Sequence, residues 1–371
     1  MPANSTSLDP DFTSRIRNLV FEGGGVWGIA YEGALLELQE HGVLAKLRRV
    51  AGASAGAITA ALLAVGYTPV ELGVVLRESN FKAFQDDDFG FGRDTARLLG
   101  EYGWYKGDKF REWIKKYIAA KVAALSKQHG VASPGPAPTF KQLDTWQAAL
   151  AKKGVKLPKP FLIGSNLSKQ CRETYSLEET PNLKLQDAVR RSMSIPLFFA
   201  CERGAKKDVI VDGGLTWNYP VNLFDHVDYL KDDPANGLAV NYSTDDKFRF
   251  NTETLGFRVD TTKELDFNLK DWSNEPLKID NIVRYGWALV AFMRAIANKV
   301  HLHKNDWSRT VFIDVGEKIG FTDFDLNSAQ QKFLSDRGRE GVRKFLEWRV
   351  SAKGRKEVAS IYKSIAATDE E

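Results

Sequence analysis

Val50-Ala51-Gly52-Ala53-Ser54-Ala55-Gly56-Ala57-Ile58 decides the reading of the fold. An apolar strand end, a tight turn and a helix start follow one another within nine residues. Gly52-x-Ser54-x-Gly56 has the G-x-S-x-G spacing of a nucleophile elbow. The spacing has a steric cause: a serine on so sharp a turn carries a strained backbone, and its neighbours must be small. Here Gly52, Ala53, Ala55 and Gly56 are all small. The Ser54 hydroxyl then projects at the N-terminus of a helix running to Gly66, where the helix dipole favours developing negative charge. An ordinary strand-to-helix turn with an N-cap serine has the same local pattern, so support must come from elsewhere in the chain.

Upstream, Asn18-Leu19-Val20-Phe21-Glu22 reads as a short buried strand that enters Gly23-Gly24-Gly25-Val26-Trp27-Gly28 and then a helix to about Glu40. G-x-G-x-x-G between strand and helix also suits a dinucleotide. That use needs an acidic residue at the end of the second strand for the ribose, whereas Leu47–Gly52 ends in the elbow. No lysine follows to make a nucleoside-triphosphate loop. The other use of such a turn is an oxyanion hole, with bare backbone N–H groups aimed at one spot. Downstream, Val209-Ile210-Val211-Asp212-Gly213-Gly214 reads as a strand leaving into a turn. Asp212 fits a turn aspartate bonded to its own backbone. Beside a strand-end serine it fits a general base, because parallel strands deliver their C-terminal ends to one edge.

The remaining chain alternates strand and helix patterns. Strands are expected at 160–166, 254–259 and 311–315, and helices at 109–124, 139–152, 185–192, 277–304 and 328–350. The alternation predicts an α/β fold, a three-layer α/β/α sandwich with a mainly parallel central sheet. Residues 1–15 read as a flexible N-terminal arm and 351–371 as a C-terminal tail. Residues 80–158, with aromatics crowded into 81–105 and a linker or exposed loop at Ser133-Pro134-Gly135-Pro136-Ala137-Pro138, read as an insertion or lid over the sheet edge.

The 371 residues are 43% hydrophobic and 27% charged, with a net charge of +4. This mild, dispersed basicity does not argue for nucleic acid and suits an anionic membrane surface. The two cysteines, Cys171 and Cys201, make neither a metal spacing nor a secreted framework, so they read as reduced thiols in the cytoplasm. The polar start has no apolar signal core, and no apolar run is long enough for a membrane span. The most apolar stretch, Tyr285 to Ala297, is interrupted by Arg294.

Taken in order, the glycine turn 23–28, the elbow 52–56 and Asp212-Gly213-Gly214 resemble the patatin-like phospholipases, whose pattern is G-G-G-x-[RK]-G, G-x-S-x-G and D-G-[GA]. Ala188 to Pro196 is similar to the family's helix and proline turn before the aspartate strand. The resemblance covers most of 16–350, read as one patatin-like domain. It implies a Ser54-Asp212 dyad without histidine, backbone N–H groups of Gly24 and Gly25 as oxyanion hole, an acyl-enzyme, and membrane glycerophospholipids as substrate. It implies neither metal nor cofactor. Trp27 departs from the pattern, standing where the family usually has Arg or Lys.

The rival is a Ser-Asp-His triad, and His226, His301 and His303 all follow Asp212. None sits in a context that recommends it. A second alternative follows from the resemblance: some patatin-like phospholipases of bacterial antiphage systems are switched on by a cyclic nucleotide, so a nucleotide activator of an antiviral effector stays open as a partner. A homo-oligomer stays open too. The expected location is cytoplasmic, peripheral at the inner membrane surface when active. Phe81, Phe84, Phe89 and Phe91, followed by Lys106, Lys109, Lys115 and Lys116, are expected to form a bilayer-docking rim, with Leu197-Phe198-Phe199 as a candidate acyl wall.

Overall fold

The structure, a computed structural model, describes residues 10–78, 103–204, 207–269, 279–280, 285, 288–289, 291–293, 295–297, 303–323 and 325–366. An eight-stranded sheet forms its centre. Strands β1 (Asn18–Phe21), β2 (Arg49–Ala53), β4 (Lys159–Asn166), β11 (Thr254–Asp260) and β12 (Thr310–Asp314) run parallel, in the order β12-β11-β1-β2-β4. The hairpin strand β5 (Cys171–Tyr175) and then β8 (Val209–Asp212) with its antiparallel partner β7 (Glu202–Arg203) complete it. Two small ladders lie apart from it: β3 (Gly103–Tyr105) with β6 (Leu197–Phe199), and β9 (Gly237–Leu238) with β10 (Phe250–Asn251).

The strands read as near-continuous apolar runs because both faces of the sheet are covered. Alternate residues divide between the two sides. Leu19, Phe21, Val50 and Leu162 join the large core under helices Ala30–Glu40, Ala55–Ala64, Asp108–His129 and Ser328–Val350. Val20, Ala51 and Phe161 face Tyr219, Val221 and Phe224, while Ala53 and Ile163 face Trp217. The helices Ala30–Glu40 and Ser328–Val350 touch backbone to backbone: a Cβ on Gly338 would lie 1.8 Å from the Ala30 carbonyl oxygen, and one on Gly33 would lie 1.7 Å from that of Ser335. Gly338→Val must therefore push these helices apart. Overpacking costs about 1–3 kcal/mol, and the melting temperature of this variant should fall by several degrees; an unchanged melt would show that the helix pair yields freely.

Several boundaries differ from expectation. The expected arm is helical from Pro10 to Arg15, because buried Phe12 packs against Phe345 and under the Arg349 guanidinium. The expected tail carries helix Ala352–Ala366, which buries Ile365. The expected lid is core over much of its length: Phe110, Ile114, Ile118 and Val122 form one buried stripe of Asp108–His129, and Trp146 of Phe140–Ala151 donates to Ser126 at 2.9 Å. Phe81, Phe84, Phe89 and Phe91 lie outside the described residues. Phe198 and Phe199 are buried against Tyr105 and Phe110, so they belong to that core and not to an acyl wall.

Candidate active site

Two strands meet head to head at the site. On β4, Ile163 pairs with Ala53 of β2, and the next residue, Gly164, pairs with Asp212 of β8. Strand β5 takes the other edge of β4 from Leu162 to Asn166, so β2 and β8 share one edge and approach from opposite directions. Their ends are offset along β4 by one residue, about 3.3 Å. Each chain must then peel away, β2 through Ser54 into a helix and β8 through Gly213-Gly214. The expected convergence is present but its expected cause is not, because β8 is antiparallel to β4.

Ser54 has φ 51° and ψ −122°, a conformation that L-residues avoid. The small neighbours are required: a Cβ on Gly52 would lie 2.3 Å from the Gly56 carbonyl carbon, and one on Gly56 would lie 2.3 Å from the Phe21 carbonyl oxygen. Only 5% of Ser54 is exposed, at the N-terminus of the wholly buried helix Ala55–Ala64. Asp212 is 4% exposed, and its Oδ1 accepts the Gly214 N–H at 2.7 Å.

The segment Ser192-Met193-Ser194 ties both residues together. Ser192 Oγ accepts the Ser54 N–H at 3.0 Å and donates to the Ile163 carbonyl at 2.5 Å. The Ser194 carbonyl accepts the Asp212 N–H at 2.9 Å. Met193 Sδ lies 3.4 Å from Ser54 Oγ as its acceptor. Met193 also lines an apolar cleft with Val26, Ile29, Ile58 and Leu76, next to the nucleophile position.

The glycine turn is held from two sides. Gly23 donates to the Asn218 carbonyl at 3.0 Å, and Asn218 Nδ2 returns bonds to the Gly23 carbonyl at 3.0 Å and to Glu22 Oε1 at 2.9 Å. Glu22 Oε2 accepts the Val259 N–H at 2.9 Å and lies 3.8 Å from Arg258. Burial alone would lower the Arg258 pKa, but neighbouring Asp260 and Glu22 outweigh it and raise the pKa, so the guanidinium stays charged. On the other side, the Phe321 carbonyl accepts the Val26 N–H at 3.0 Å. Gly25 has φ 55°, and a Cβ there would lie 2.1 Å from the Phe321 oxygen, so no other residue fits. Among the described residues, the Gly24 and Gly25 N–H groups donate to no protein acceptor. Trp27 Nε1 donates to the Ile319 carbonyl at 2.7 Å, and its ring meets Phe321 edge-on. Trp27 therefore braces the loop that covers the turn.

Gly23, Gly24, Gly25, Trp27, Ser54, Asp212, Gly214 and Asn218 line one cleft of about 120 Å³. Gly28, Gly52, Gly56 and Gly213 stand behind it, keeping backbones close: a Cβ on Gly28 would sit 2.9 Å from that of Ala55, and one on Gly213 would sit 2.3 Å from the Ile163 oxygen. No described histidine lines the cleft. His41 faces Glu37 and His226 faces Asp228, while His303 stacks on Tyr242; His301 lies outside the described residues. Among the described residues no group of His, Cys, Asp and Glu could hold a metal ion.

The family model of the patatin-like phospholipases matches residues 19–225, more than half of the chain. The chain belongs to the patatin-like phospholipase family. Its class is that of a lipid ester hydrolase. Protein R571 of Acanthamoeba polyphaga mimivirus is 26% identical over 331 residues, covering 89% of this chain and 93% of that one. A protein of Invertebrate iridescent virus 6 named "Probable lipid hydrolase 463L" is 25% identical over 223 residues, 59% of this chain and 66% of the relative. Among solved structures, VipD from Legionella pneumophila superposes with a TM-score of 0.58 at 18% identity, covering 90% of this chain and 67% of that one, and so shares the fold.

Sequence reasoning about this patatin-like chain missed Glu22, Ser192, Met193 and Asn218. Two carried a signal. Glu22 is a charged residue ending an apolar strand at the glycine turn, and Asn218 follows Asp212-Gly213-Gly214 by one helical turn. Ser192 and Met193 lie in the Ala188–Pro196 stretch that carries the resemblance, but their contacts depend on where β4 passes.

Proposed function

We propose that the chain is a phospholipase A-type serine hydrolase that cleaves fatty-acyl esters of membrane glycerophospholipids through Ser54 and Asp212. One observation carries the reading: a serine held at φ 51° and an aspartate on the facing strand end line a single cleft with two glycine amides. Ser54 Oγ attacks the ester carbonyl carbon while its proton passes to the Asp212 carboxylate. The Gly24 and Gly25 N–H groups and the start of helix Ala55–Ala64 stabilise the oxyanion. Collapse breaks the carbon–oxygen bond to the glycerol, whose oxygen takes the proton from Asp212, and leaves the acyl group on Ser54. Water then attacks the acyl-enzyme, giving a proton to Asp212. A second collapse frees the fatty acid and returns that proton to Ser54. The lipid hydrolase name of the viral relative points to the same substrate class.

A serine-directed fluorophosphonate tests this together with mass-spectrometric profiling of phospholipid products. The expected results are one adduct, on Ser54, and release of free fatty acid with lysophospholipid. Labelling at another serine, or products that retain both acyl chains, would overturn it.

A further inference from the structure

Residues 285, 288–289, 291–293 and 295–297 are helical, and their bulky apolar side chains are exposed. A surface helix normally turns its bulky apolar residues to the core and its small or polar ones to water. Here Ala291 and Ala295 line the cleft that holds Ser54 and Asp212. Tyr285, Leu289, Phe292, Met293 and Ile296 are exposed, Phe292 by 58% and Leu289 by 44%. Their spacing of four, three, one and three residues puts all five on one face. That stripe lies roughly a third of a turn from the alanines, as about 100° per residue dictates. So large a run of exposed apolar side chains on one helix marks a contact surface.

We infer that this helix is the lip by which the protein docks on a phospholipid bilayer. The occupant is argued from continuity. One helix carries both a wall of the ester-binding cleft and the exposed stripe, so a lipid drawn from a bilayer under the stripe reaches Ser54 without crossing water. The net charge of +4 draws the chain to an anionic leaflet. Among the described residues no helix is long and apolar enough to cross a membrane, and an apolar stripe along one side of a helix suits the interface plane. The inference rests on reading the cleft as the lipid-hydrolysing site.

The test uses vesicles of phosphatidylcholine and phosphatidylglycerol and the full chain carrying Ser54→Ala, which cannot consume them. Adding Leu289→Ser, Phe292→Ser and Met293→Ser should weaken vesicle partition at least ~100-fold, since each side chain leaves apolar contact. With Ser54 intact, the same three substitutions should abolish most vesicle hydrolysis while turnover of a soluble short-chain ester and the melting temperature hold. In a second measurement, a polarity-sensitive dye on Phe292→Cys, with Cys171→Ser and Cys201→Ser, should shift to the blue on vesicles. Unchanged partition, or a dye that reports water, overturns the lip. So does a parallel fall in ester turnover and melting temperature, which would make the stripe core. A stable dimer that the substitutions dissociate would make it a protein interface and overturn the lip as well. Vesicle binding through the stripe without any hydrolysis would sink the reading of Ser54 and leave the lip standing.

Discussion

Ser54→Gly should abolish ester hydrolysis and at the same time raise the stability of the protein, whereas Ser54→Ala should abolish hydrolysis without that gain. Loss of the nucleophile removes the covalent route, and the activity should fall at least ~10⁴-fold in both variants. Stability separates them. At φ 51° and ψ −122° any side chain carries backbone strain, of order 1–3 kcal/mol. Alanine keeps its Cβ and so keeps the strain. Glycine adopts positive φ freely but loses up to about 1 kcal/mol through its looser unfolded chain. The net expectation is a gain of roughly 1 kcal/mol for glycine over alanine, read by denaturant midpoints of the two variants. Equal midpoints would mean that the elbow is not strained. Retained hydrolysis in either variant would remove Ser54 from the reaction.

Asp212→Asn should lower kcat by about 10²–10⁴-fold with little change in KM, the usual worth of a positioned general base. The substitution is a clean one here. The asparagine Oδ1 can still accept the Gly214 N–H that Asp212 accepts at 2.7 Å, so that turn contact is kept while the carboxylate is lost. His226→Ala and His303→Ala should retain most activity, since neither residue lines the cleft. The comparison is informative because all three positions follow Ser54 in the order that a Ser-Asp-His triad would use. A histidine variant as inactive as Asp212→Asn would place the chain in that class, and His301→Ala extends the test to the remaining candidate.

What was legible in the sequence was local. The elbow advertises itself because crowding forbids any side chain at Gly52 and Gly56, and the glycine turn because Phe321 forbids one at Gly25. Helix Ser328–Val350 matches its expected span, and Thr139 caps Phe140–Ala151 with a full capping box. What was not legible depends on which strand edges are occupied. The edge of β4 that β8 takes follows from β5 having taken the other, a fact that no residue of Val209–Asp212 records. The 108–151 region read as part of an 80–158 insertion because aromatics crowd the stretch just before it and a proline-rich loop interrupts it. Its buried stripe of Phe110, Ile114, Ile118 and Val122 becomes core only once the elbow helix lies beside it. The stretch 285–297 reads as an apolar helix in sequence, but which of its faces meets the cleft does not.

The head-to-head meeting of β2 and β8 has a consequence in time. Ser54 and Asp212 stand 158 residues apart in the chain, and both dock on a strand that lies between them in sequence. At a ribosomal rate of 5–20 residues per second, roughly 8–30 s separate the synthesis of the two residues. Through that interval the edge of β4 beyond the partner of Ala53 stays unfilled. A nascent or prematurely terminated chain that ends before Val209 therefore carries the serine without the aspartate. On the proposed reading, the pair of Ser54 and Asp212 is thus completed only when the strand Val209–Asp212 reaches the edge of β4.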